Sequence, residues 1–144
     1  MWADTLLAAE RAHLFRLAIW AMASVVAGTA VFLLPHAQRG SSALLRHFAL
    51  QSVAWGTVEL VIVWAARSSL GLRDLGGARQ LERFVWLSCG LDAGCVAVGV
   101  TLAIACCALG RRLGGIGAGV GIVTQGAALL WLDLVFANAL VGLV

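Results

Sequence analysis

Long apolar runs make up most of the chain, and polar residues interrupt them at three places. An α-helix needs about 20 apolar residues to cross the hydrocarbon core of a bilayer. Four segments meet that length: residues 13–34, 44–66, 84–109 and 115–143. The first stops at Pro35, which has no N–H to continue a helix. The interruptions read HAQRGSSA at 36–43, RSSLGLRDLGGARQ at 67–80 and GRRLG at 110–114. None is long enough to be a separate domain. The pattern therefore predicts an all-α integral membrane protein, a four-transmembrane-helix bundle forming a single transmembrane domain over 1–144. The first twelve residues carry Asp4, Glu10 and Arg11 and predict a short interfacial helix leading into the first span. They lack the basic start and the small-residue cleavage site of a signal peptide.

Composition agrees with lipid as the solvent. Hydrophobic residues are 62% of the chain and charged residues 12%, with a mean hydropathy of +0.97. A soluble domain carries about 25% charged residues, which this chain lacks to cover a water-facing surface. Lysine is absent, so Schiff-base chemistry with retinal or pyridoxal has no amine to use. Tyrosine is absent too, which leaves tryptophan to supply any aromatic belt.

The net charge of +3 comes from arginines near the span ends, not from a basic face. That excludes nucleic acid as a partner and favours the lipid bilayer. Cys89, Cys95, Cys106 and Cys107 contain no CxxC pair and read as small buried hydrophobes.

Arginine placement orients the helices. Four spans put both termini on one side, with Arg11, Arg16, Arg67, Arg73, Arg79 and Arg83. The opposite side holds Arg39, Arg46, Arg111 and Arg112. Six against four predicts cytoplasmic termini, in a bacterial inner membrane.

An internal echo suggests a duplicated helical hairpin. Trp20 and Ala27-Gly28 recur as Trp86 and Ala93-Gly94, and Gln51…Glu59 recurs as Gln125…Asp133. Ser24 with Gly28, Gly90 with Gly94, and Gly117 with Gly121 are each spaced four apart, which predicts close helix packing. The run GGIGAGVG over 114–121 has neither the preceding strand nor the lysine of a phosphate loop.

Any chemistry rests on three acids inside the spans, Glu59, Asp92 and Asp133. A carboxyl group at this depth is costly and needs a reason. Each falls about four residues, roughly 6 Å, to the termini side of its helix centre, so inward-facing acids would form one layer.

Their helices support an inward face. His47, Gln51, Trp55 and Glu59 repeat every four residues. Ser88, Asp92, Cys95 and Gly99 form one stripe, as do Gly121, Gln125 and Asp133. Every arginine lies at a span end, too far along to neutralise the acids, and His47 is about three turns from Glu59. Two arrangements satisfy the physics. Protonated acids could bond to Gln51, Gln125, Ser88 or tryptophan N–H groups, joining helices at about 1 kcal/mol per bond. Alternatively, they could hold a proton, a metal ion or a cationic ligand that exchanges, with Trp55 on the same face. His47 reads as a capping or headgroup-contacting residue rather than a ligand to a pigment metal, and His13 and His36 as interfacial.

LSCGLDAGCVAVG at 87–99 and GIVTQGAALLWLDLVFANAL at 121–140 resemble a family of small bacterial four-helix membrane proteins known as a domain of unknown function. HFALQSVAWGTVEL at 47–60 resembles its second helix. The resemblance implies that Asp92, Gln125 and Asp133 belong to the family pattern. The sequence departs from it at Gln51 and Glu59, where the family carries asparagine, and at Cys95, where it carries tyrosine. No activity follows from it.

Three functions fit. The first is a polar, acidic intramembrane site that binds or transports a proton, cation or small polar ligand, in a homo-oligomer. The second is a structural or accessory subunit of a membrane complex. The third, an enzyme, ranks last, because no nucleophile–base pair, metal-ligand cluster or cofactor motif is evident.

Overall fold

The computed structural model describes residues 2–34 and 43–143. The expected stop at Pro35, and His36 and Arg39, lie outside the described residues. Among the described residues the chain is four helices with no strand. They are α1 (Trp2–Leu33), α2 (Ala43–Ser68), α3 (Leu75–Ala108) and α4 (Leu113–Val141). All four are long and apolar enough to cross a membrane.

The first helix differs from expectation. No break separates an interfacial segment from the first span; α1 is continuous for 32 residues. Tertiary contacts explain this. Leu6 is buried in a cluster with Ala78, Val85 and Cys89 of α3 and Phe136, Ala137 and Leu140 of α4. The Trp2 indole N–H donates to the Leu143 carbonyl. Glu10 accepts a forked pair of hydrogen bonds from Arg73, at 3.1 Å from Nε and 2.6 Å from Nη2. That geometry is the strong form of an ion pair. It keeps the Arg73 guanidinium pKa above its ordinary value and ties α1 to the segment between α2 and α3.

Local signals set the ends of α3. Asp74 caps its start, accepting from the Gly77 amide at 2.7 Å, as an N-cap carboxylate does. At its other end Gly110 and Arg111 take left-handed backbone angles, φ 93° and 56°. The Arg112 amide donates back to the Cys106 carbonyl at 2.9 Å, closing the helix within a short turn.

The helices pack as two hairpins, α1 on α2 and α3 on α4, joined mainly by α2 against α4. α4 touches all three others and buries nine residues. α3 packs chiefly on α4 and buries only Ala78, Val85, Cys89 and Gly99. Most of its surface is apolar and exposed, including Phe84, Leu87, Leu91 and Ile104.

Backbone approach decides which glycines matter. A Cβ on Gly56 would sit 2.7 Å from the Ala21 carbonyl, and one on Gly28 would sit 2.9 Å from the Ala49 carbonyl, with Ser24 and Ser52 in the same crossing. A Cβ on Gly117 would collide with the Leu44 carbonyl, and one on Gly121 would lie 2.8 Å from Gln51 Cβ. Ser24, Gly28, Gly117 and Gly121 therefore stand at close crossings. Gly90 and Gly94 do not: a Cβ on either meets nothing within 4 Å. In α3 the crossing uses Gly99, whose Cβ would lie 2.7 Å from the Gly119 carbonyl.

Candidate functional site: acids between the helices

Each helix face delivers different side chains to the interior. On α1, Leu6, Glu10, His13, Leu14, Ala21, Ser24 and Gly28 are buried, a seam of three- and four-residue steps. On α2, the face bearing Leu44, Gln51 and His47 meets α4 at Gly117, Gly121 and Gly114, whereas Ala49, Ser52 and Gly56 meet α1. On α4, Gln125 and Asp133 turn toward α1, while Gly119 and Gly126 meet α3.

Gln125 joins helices. It is 2% exposed, and its Oε1 accepts from the Trp20 indole N–H at 2.8 Å. Its Nε2 donates to Ser24 Oγ at 3.1 Å. These bonds link α4 to α1, not Gln125 to an acid. The other expected acid partners are also engaged elsewhere or set apart. Ser88 Oγ donates to the Phe84 carbonyl of its own helix at 3.2 Å. Gln51 packs by its Cβ against Gly121, and Trp55 is half-buried.

The backbones of Asp133 and Asp92 sit at different depths. Asp133, on the termini side, has Oδ1 3.4 Å from Nε2 of His13. The His13 ring is stacked on Phe136, with centroids 4.3 Å apart and planes 9° from parallel. The backbone of Asp92 lies beside Gly126, seven residues before Asp133, which places it about 10 Å deeper. Asp92 lies within electrostatic reach of both Asp133 and Glu59. Cys89, one turn before Asp92, lies within reach of Asp92 and Asp133 and is buried.

Glu59 is the anomaly of the molecule. It is 4% exposed, and both its carboxyl oxygens are buried without a hydrogen-bond partner. Oδ2 of Asp92 and Nδ1 of His13 are buried and unpartnered as well. Buried polar atoms are nearly always satisfied, because an unmet donor or acceptor costs its full desolvation penalty. Three of these four atoms belong to two of the acids, Glu59 and Asp92.

Among the described residues no three His, Cys, Asp or Glu side chains are placed to hold one metal ion. His13, expected at an interface, is the histidine that lies beside the acids. His47 is exposed, its ring against Gly114, whereas His13 is buried and pairs with Asp133. The signal that could have found His13 is the α1 seam, where Glu10, His13, Trp20 and Ser24 share one face. Beyond this cluster, an open apolar groove between α1 and α4 is lined by Arg16, Ile19, Trp20, Ala128, Trp131 and Leu132, with no acid among them.

These features define an all-helical protein with four helices of membrane-spanning length and unsatisfied carboxyl groups in its interior. The chain belongs to a family of unknown function (DUF6992), whose pattern matches residues 16–134. That span contains Glu59, Asp92, Gln125 and Asp133 but not His13. No curated protein and no solved structure matches the chain.

Proposed function

We propose that this is an integral membrane protein whose Glu59–Asp92–Asp133 cluster binds a proton, cation or small polar ligand and releases it. One observation carries the reading: Glu59 is buried with both oxygens unpartnered, close to a second acid. A carboxyl group kept only to join helices would be satisfied as Gln125 is. An ionised Glu59 without a partner would be an uncompensated charge in a medium that penalises it heavily. The resting group is therefore neutral, or it is paired with a cation that arrives and leaves. Six arginines against four favour cytoplasmic termini in a bacterial inner membrane.

Because α3 packs chiefly on α4, assembly of several copies would enclose a path that one chain leaves open. The pairing of α1 with α2 and α3 with α4 fits a duplicated hairpin. A second reading, an accessory subunit of a larger membrane complex, draws support from the open α3 face around Gly90 and Gly94.

An apolar carbodiimide tests the first reading, because it reacts with protonated carboxyl groups reached through lipid. Protein in lipid nanodiscs should form an adduct at Glu59, located by peptide mass spectrometry. Labelling should fall as pH rises, and Glu59→Gln should abolish it. No adduct at any pH, with Glu59→Gln unchanged in every other respect, would leave the accessory role.

A further inference from the structure

Resting on that reading, we propose that the ligand is the proton and that the His13–Asp133 pair is the port through which it reaches Glu59 from the termini side. Four observations lead there. From the termini side the His13–Asp133 pair comes first, and the Asp92 backbone lies deeper, beside Gly126. Glu10, at the termini end of α1, is one turn before His13. His13 meets Asp133 at 3.4 Å, Asp92 lies within reach of Asp133, and Glu59 lies within reach of Asp92. Second, the described residues offer no three-ligand metal cluster, and a proton needs none.

Third, the vacant hydrogen-bonding positions fall along this line. They are Nδ1 of His13, Oδ2 of Asp92 and both oxygens of Glu59, with His13 7% and Glu59 4% exposed. Fourth, His13 is held flat against Phe136, which fixes the plane in which its two ring nitrogens lie. An imidazole so held has one nitrogen facing a carboxylate and the other free to accept.

The step balances. A proton taken up at Nδ1, with the proton on Nε2 passing to Oδ1 of Asp133, leaves His13 neutral and Asp133 protonated. Asp133 then passes its proton to Asp92, and Asp92 to Glu59. No hydrogen bond joins Asp133 to Asp92 or Asp92 to Glu59, so each of these two transfers runs through intervening water, and each neutralises one carboxylate and regenerates the one before it. No oxidant or second substrate is needed. The titratable and charged groups facing this path come from every helix: Glu10, His13 and Arg16 of α1, Glu59 of α2, Cys89 and Asp92 of α3, and Asp133 of α4. His13 and Asp133 are positioning and relay residues, and Glu59 is the acceptor.

Deuterium exchange at the Glu59 carboxyl, followed by infrared spectroscopy of the full chain in lipid nanodiscs, tests the port. Loss of one protonated-carboxyl band in Glu59→Gln identifies the band. His13→Gln and, separately, Asp133→Asn should each slow exchange of that band by about a hundredfold while leaving it present. Two variants on two helices keep the test decisive if one of them misfolds. Unchanged exchange in the folded variant or variants would overturn the port and leave the acid site standing. Absence of any protonated-carboxyl band that disappears in Glu59→Gln would overturn both the port and the proposed function. A Glu59 band that is present but exchanges equally fast when sodium or tetramethylammonium replaces protons as the varied cation, with no dependence on pH, would overturn the proton as ligand.

Discussion

Gln125 and Glu59 are both buried polar side chains on neighbouring helices, and they are treated oppositely. Gln125 is 2% exposed and bonded at both ends of its amide to Trp20 and Ser24 of α1. Glu59 is 4% exposed and bonded to nothing. Both sites cost desolvation, but only one recovers it through hydrogen bonds. Gln125 is where the fold uses polarity to join helices. Glu59 is where it tolerates polarity without structural return, which is the ground for the site proposed there.

Breaking the joint should have the larger effect. Gln125→Ala leaves the Trp20 N–H and Ser24 without their partner and opens a void, so it should destabilise the protein by about 2–3 kcal/mol. Thermal unfolding in a mild detergent, read by loss of tryptophan fluorescence, checks this. The same contrast holds among glycines. Gly28→Ala places a methyl against the Ala49 carbonyl and Val53 and should cost about 1–3 kcal/mol, whereas Gly94→Ala meets open space and should shift stability by less than about 0.5 kcal/mol. Equal effects for the two glycines would show that α3 is covered by a partner in the detergent-solubilised protein. As small as Gly94→Ala should be Glu59→Gln, within about 0.5 kcal/mol of the parent, because an amide of the same shape replaces a group with no partner to lose. A loss as large as that of Gln125→Ala would erase the distinction between the two sites.

Much of the architecture is legible in the sequence. The four helices follow from run length, and their ends moved by at most a few residues for the second and fourth. The starts of the first and third spans were set later than the helices begin, at 13 against Trp2 and 84 against Leu75. Hydropathy measures lipid compatibility, and the extra turns are polar residues held by tertiary contacts such as Glu10 with Arg73. The burial of Glu59, Gln125 and Asp133 was readable from their stripes on α2 and α4, and the small residues at 24, 28, 117 and 121 from their spacing.

The same spacing pointed equally to Gly90 and Gly94, which face away from the other helices. A small-residue motif says that a close approach is sterically possible; it does not say which neighbour comes close.

Sequence alone determined the solvent-compatible class, the number of long apolar helices and which side chains are costly to bury, because each depends on local composition and on the helical repeat. Tertiary structure decided the pairings. It put Gln125 with Trp20 and Ser24, gave Asp133 to His13 in place of a more distant His47, made α4 the centre of packing, and left Glu59 without a hydrogen-bond partner. Those outcomes depend on the rotation and crossing of helices far apart in the chain. In an apolar medium many rotations bury nearly equal apolar area, so backbone approach at a few glycines and a handful of hydrogen bonds choose among them.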